Sequence, residues 1–181
     1  PVFTFPQGFT RRKGAGTDFL YTGVYQSEGT RIGYIRFPSF SPNNYNAALA
    51  ELIEEVAFFQ RNTDGLVVDV MRNTGGGCYM LDAAAFLIPR NFYFFGEELR
   101  VTRELIATAE LSQRTAIAQN APQWIRDYYT QILDELQRAY AENRGMTQAL
   151  PACNGVTQSG QPRGFEYTPA SNLDASLAVY D

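Results

Sequence analysis

An α/β fold with parallel central strands and a mostly helical C-terminal portion is predicted by three features of the sequence. Leu66, Val67, Val68, Val70 and Met71 make an apolar run of about six residues, too short for a helix and apolar on both faces, the pattern of a strand covered on both sides. Ahead of it, Tyr45, Leu49, Leu52, Ile53, Val56 and Phe59 recur at helical spacing, with Glu51, Glu54 and Glu55 mostly between them. From Ala121 to Asn143, the apolar positions Ile125, Tyr128, Ile132, Leu136 and Tyr140 define a second, longer helix that ends before Gly145.

Taken in order, the segments 18–25 and 31–37 flank Ser27-Glu28-Gly29 and read as a β-hairpin. Before it, Arg11-Arg12-Lys13 is the one cationic cluster and reads as a solvated loop, with anion binding as the alternative. Ser41 is placed to cap a helix over 42–60, with Pro42 in its first position. Strand 31–37, that helix and strand 66–71 then form a βαβ unit, whose two strands run parallel. After three glycines, Cys78 to Ile88 reads as a short helix packing Leu81, Ala84, Ala85 and Leu87 or Ile88 on the sheet, and Pro89 ends it. Phe92-Tyr93-Phe94-Phe95 reads as a core or subdomain contact, with a peptide-binding groove as the alternative. Leu99 to Arg103 reads as a short strand, the alanine-rich stretch 104–119 is ambiguous, 145–164 is glycine- and proline-rich loop, and 164–168 is a last short strand. The organisation is thus N-terminal strands over 1–30, a βαβα core over 31–90, a helical portion over 91–150 and a loop and strand segment over 151–181.

Composition sets the outer limits. With 45% hydrophobic and 14% aromatic residues, 181 residues supply one substantial core, with or without a smaller appendage. A net charge of -4 with both signs scattered offers no basic stripe for nucleic acid. No apolar stretch approaches the roughly 18 to 20 residues of a membrane span. The chain opens on proline and carries no C-terminal capping signal, the look of a domain cut from a longer protein. Cys78 and Cys153 are too few for a disulfide framework and lack metal-ligand spacing; they read as two unconnected small hydrophobes, a single disulfide being the alternative. There is no histidine and Lys13 is the only lysine, so neither a Ser-His-Asp triad nor a histidine zinc site can be built, and no metal or cofactor is expected.

Chemistry is expected where the apolar strand runs out, at Asp69-Val-Met-Arg-Asn-Thr-Gly-Gly-Gly77. Glycines at the carboxyl end of such a strand leave bare N–H groups, and a helix opening there adds partial positive charge, so the turn could hold a phosphate, a carboxylate or a developing oxyanion. A dinucleotide fingerprint based on Gly75 and Gly77 fails at Met80, and a phosphate-binding loop fails because Cys78, not lysine, follows Gly77. Asp69 reads as a carboxylate that pairs with Arg72, Asn73 or backbone amides to hold the turn, a catalytic acid being the alternative.

Ile32-Gly-Tyr-Ile-Arg-Phe37, then Phe40, an amphipathic helix and Asp64-Gly-Leu-Val-Val-Asp-Val-Met-Arg-Asn-Thr-Gly-Gly-Gly77, together resemble the core of the tail-specific (carboxy-terminal processing) serine peptidases and the related tricorn protease core. The sequence departs from that pattern at Met71, where arginine is usual; its arginine comes one place later, at Arg72. The resemblance is specific over about 30–90 and loose beyond. It implies a crotonase-like fold of stacked β-β-α turns, a polypeptide substrate, hydrolysis by a serine with a lysine or histidine base, and a periplasmic or secreted location. It assigns the amide of Gly75, Gly76 or Gly77 to the oxyanion hole. In that family the nucleophile follows on a later strand-to-helix turn, and Asp181 falls before it; Ser159, Ser171 and Ser176 do not fit its motif and read as solvated loop residues. The expectation is therefore the front part of a peptidase domain, inactive alone. The alternatives are a non-catalytic module for an apolar ligand, as in retinoid-binding relatives, and an acyl-thioester enzyme of the crotonase-like group, against which the single lysine argues.

Overall fold

The computed structural model describes residues 4–151, 164–173 and 175–181. In chain order its elements are β1 (Thr10–Lys13), β2 (Tyr21–Ser27), β3 (Thr30–Arg36), α1 (Tyr45–Asn62), β4 (Gly65–Asp69), α2 (Tyr79–Leu87), β5 (Phe92–Tyr93), β6 (Gly96–Glu97), α3 (Arg103–Ala118), α4 (Gln123–Ala141), β7 (Leu150–Pro151), β8 (Glu166–Tyr167) and α5 (Ala170–Leu173). They fall into two units, Pro1–Asn91 with Thr168–Asp181, and Phe92–Tyr167.

In the first unit a four-stranded mixed sheet has the order β1-β2-β3-β4. The hairpin is present: β2 and β3 pair antiparallel from Tyr21↔Arg36 to Ser27↔Thr30. Its two-residue turn, Glu28 and Gly29, has both φ angles positive at 51° and 82°, the twist that a tight hairpin demands. The βαβ unit is present too, since β3 and β4 pair parallel with Tyr34 opposite Val67 and Arg36 opposite Asp69. One face of the sheet is covered by α1, whose Ala48, Leu49, Leu52, Val56 and Phe59 are buried with Leu20, Ile35 and Phe37. On the other face the rings of Phe5 and Phe9 pack edge-on against Tyr34 at 5.9 and 5.7 Å. α2 adds Tyr79, Ala83, Ala85 and Phe86 to the same core.

Several expectations are corrected here. The apolar strand is not covered on both sides: β4 lies at the edge of the described sheet, and Val67, Val68, Val70 and Met71 are exposed. Helix α1 starts three residues later than expected because Asn44, not Ser41, caps it, its Oδ1 accepting the Ala47 N–H at 3.1 Å. Arg11-Arg12-Lys13 is strand, not loop. Arg12 forks onto both oxygens of the fully buried Glu55 at 2.9 Å, and Thr22 Oγ1 donates to the same carboxylate at 2.6 Å. Glu55, which the pattern places between the apolar positions of the helix, is inside because a tertiary partner on β1 meets it there: a carboxylate survives burial only with donors around it. In α2 it is Ala83 and Phe86, rather than Ala84, that join Leu81 and Ala85 inside.

The second unit is built on the α3/α4 pair, which buries Ala109, Leu133 and Leu136 against Leu99, Val101, Leu105, Ile106 and Ile132. The ambiguous stretch 104–119 is helical, capped by Thr102, whose hydroxyl accepts the Leu105 N–H at 3.1 Å. That cap displaces the strand expected over 99–103, of which one bridge, Arg100↔Met146, remains. β6 pairs with β7 and β5 with β8, so β7 falls inside the stretch expected as loop, while β8 lies within the last short strand expected over 164–168. Ser159 and Cys153 lie outside the described residues. Ser171 is in α5 and half-buried rather than in a solvated loop, and Ser176 is exposed in a turn. Cys78 is disulfide-bonded, so it is not an unconnected hydrophobe. No described helix is long and apolar enough to cross a membrane.

Candidate active site

At the carboxyl end of β4 the chain turns sharply, and each corner of the turn has its own fastening. Asp69 is 7% exposed. Its Oδ2 accepts the Tyr34 hydroxyl and its Oδ1 accepts the Met71 N–H at 2.7 Å. Arg36, opposite Asp69 in the register, sends Nη2 to the Met71 carbonyl at 3.1 Å. Asn73 works in two directions: its Nδ2 donates to the Phe37 carbonyl at 2.9 Å and its Oδ1 accepts the Gly75 N–H at 2.7 Å. Arg72, between these pinned residues, takes the left-handed region at φ 56°, a strained state that persists only where its neighbours fix it.

The glycines then run beside Phe40 as a one-residue parallel bridge. Phe40 N–H donates to the Gly75 carbonyl at 2.9 Å and the Gly77 N–H donates to the Phe40 carbonyl at 3.1 Å. In such a bridge the residue between the two bonds turns its own N–H and C=O away from the partner. That residue is Gly76, and its amide has no hydrogen-bond partner among the described residues. Glycine is required there: φ is 147°, and a Cβ would sit 2.2 Å from the Phe40 carbonyl carbon. α2 opens directly afterwards with no side-chain cap.

The predicted site residues are therefore brought together unequally. Asp69 and Asn73 hold the turn, Asp69 through Tyr34 and a backbone amide rather than through Arg72. Arg72 is exposed and has no ion-pair or hydrogen-bond partner among the described residues. Of the three glycine amides, those of Gly75 and Gly77 are engaged by the protein and Gly76's is open. Tyr34, Ser39 and Phe40 belong to the site but were not singled out as site residues; Ser39 Oγ donates to the Gly75 carbonyl at 3.4 Å. The strand parity of Tyr34 and Arg36 opposite Val67 and Asp69 is the signal from which Tyr34 was recoverable.

Burial first, then the adjacent Asp69 carboxylate, push the Tyr34 phenol above its usual 10.0, so it stays protonated and donating at neutral pH. Lys13 is bonded to Glu54 at 3.3 Å, and that hydrogen bond raises the ammonium above its usual 10.5. It is a cation at neutral pH and no general base. Among the described residues no group of three or more histidine, cysteine or acidic side chains is placed to hold a metal ion.

No curated protein matches the chain at a significant level. Two solved structures are similar in fold, mature CPAF at 14% identity and mature CPAF complexed with lactacystin at 15%, each with a TM-score of 0.52. Each alignment covers 76% of this chain and 32% of the other, so the chain spans about a third of their length. Residues 31–132, more than half of the chain and including the whole glycine turn, match the family model for Peptidase family S41. The chain belongs to peptidase family S41.

Proposed function

We propose that this chain is the front part of a serine peptidase domain acting on polypeptides, and that it supplies one oxyanion donor, the Gly76 amide, with part of the substrate wall. The observation that carries this reading is the open Gly76 N–H, aimed outward by the two bonds that flank it on Phe40. A preorganised amide of this kind stabilises charge that develops on a scissile carbonyl, which is the largest single contribution in acyl transfer. Neither nucleophile nor base comes from these residues. Histidine is absent, Lys13 is a paired cation, Ser171 sits in a four-residue helix and Ser176 in an exposed turn. The reading includes a crotonase-like core, in which β4 becomes a central strand once a further strand covers its apolar edge. The disulfide at Cys78 supports a location in an oxidising compartment, periplasmic or secreted.

The test is activity-based labelling with a fluorophosphonate probe, which reports an activated serine. The 181-residue chain should remain unlabelled while the full-length protein that carries it is labelled and cleaves peptides. Labelling of the chain alone would place the nucleophile within it and end this reading. A full-length protein that neither labels nor cleaves, yet binds an apolar ligand, would establish the binding-module alternative instead.

A further inference from the structure

We propose that Tyr34 is a positioning residue for the glycine turn: its hydroxyl, through Asp69, sets the direction in which the Gly76 amide points. This rests on the reading of Gly76 as the oxyanion donor. The contacts form one unbroken chain. The Tyr34 hydroxyl occupies one oxygen of Asp69, leaving the other for the Met71 N–H at 2.7 Å. The next residue but one, Asn73, is closed back onto Val70 by its own N–H at 3.0 Å, and its side chain takes the Gly75 N–H at 2.7 Å. Gly76 follows directly. The positive φ of Arg72 lies in the middle of this path and is held by the pinned residues on either side.

Tyr34 can act as a fixed reference because it cannot swing. It is 3% exposed, in β3, which pairs with β2 on one side and β4 on the other, and Phe5 and Phe9 close edge-on against its ring. Removing only its oxygen leaves that packing in place and strips a buried carboxylate of a donor. A carboxylate so deprived rotates to recover hydrogen bonds, and the Met71 amide moves with it. The effect is therefore expected at the turn, which is distant from the substitution in sequence and reached through Asp69, more than in the core.

The experiment compares Tyr34→Phe with the unchanged protein in two ways. In ¹H–¹⁵N spectra of the 181-residue chain, the Met71, Gly75 and Gly76 amide resonances should move while those of Leu49 and Val56 in the core hold still. In the full-length protein, kcat should fall on the order of 10-fold to 100-fold, the scale of a misplaced reacting group, with KM within about threefold. If Tyr34→Phe does not fold, Asp69→Asn, which keeps the shape and loses the second acceptor, should show the same pattern. Unmoved Gly75 and Gly76 resonances in a folded variant would overturn the proposal whatever happens to the rate. Moved resonances with an unchanged kcat would leave the coupling standing and remove the oxyanion role from Gly76.

Discussion

Three consecutive glycines look interchangeable, yet they stand in three different environments. Gly76 faces the Phe40 carbonyl carbon so closely that a Cβ would sit 2.2 Å from it, at a φ of 147° that side-chain-bearing residues avoid. Gly77 has open space where its Cβ would go and no such φ. Gly76→Ala should therefore cost about 2–5 kcal/mol, the sum of backbone strain and overpacking, whereas Gly77→Ala should stay within about 0.5 kcal/mol. Urea unfolding of the two variants checks this, and equal losses would mean that the bridge to Phe40 does not hold in solution. The contrast shows where sequence reading ends at this scale. The glycine run, Asp69 and Asn73 were legible as a turn because their spacing alone demands one. Which amide stays open was not, since that depends on Phe40, a residue distant in sequence that meets the turn only after the βαβ unit has closed.

Among the elements, the same limit appears in the charges. Helical periodicity located α1 and α4 but gives no sign that Glu55 and Glu135 are buried, as both are. Each is held by partners outside its own helix or at its far end. For Glu55 these are Arg12 and Thr22; for Glu135 they are Arg144 Nη2 at 2.9 Å and the Gln148 N–H at 2.8 Å. The Gln148 N–H foremost, with the Arg144 guanidinium beside it, holds the Glu135 carboxyl below its usual 4.5. A depressed folded value means that the stabilisation is complete above 4.5 and fades as the pH falls through the folded value. Thermal unfolding should then show the unchanged chain more stable than Glu135→Gln at about pH 6, with the gap narrowing as the pH falls below 4.5 and the carboxylate protonates. A gap independent of pH would show that shape rather than charge keeps residue 135 in place.

At the scale of the molecule, the largest disagreement between pattern and structure is β4. Its sequence is written for burial on both faces, yet Val68 is 43% exposed and Met71 65%. An apolar strand that ends a sheet offers its unpaired backbone to any other strand, and proteins that keep such an edge in water normally place a charge or a proline on it. Here neither interrupts Leu66 to Val68, which is the sequence one expects if a further strand covers the edge in the full-length protein. The two settings make opposite demands of one substitution. In the 181-residue chain, Val68→Lys should leave the melting temperature nearly unchanged, because half-exposed positions contribute little, and should lower any self-association seen by light scattering. If, as proposed, a further strand covers β4 in the full-length protein, the same lysine would be buried there without a partner and expression of folded protein should collapse, since an unpaired buried ammonium costs several kcal/mol. If the full-length protein accepts Val68→Lys as readily as the chain does, β4 is an edge in both, and its apolar face has to be explained by something other than a completed peptidase core.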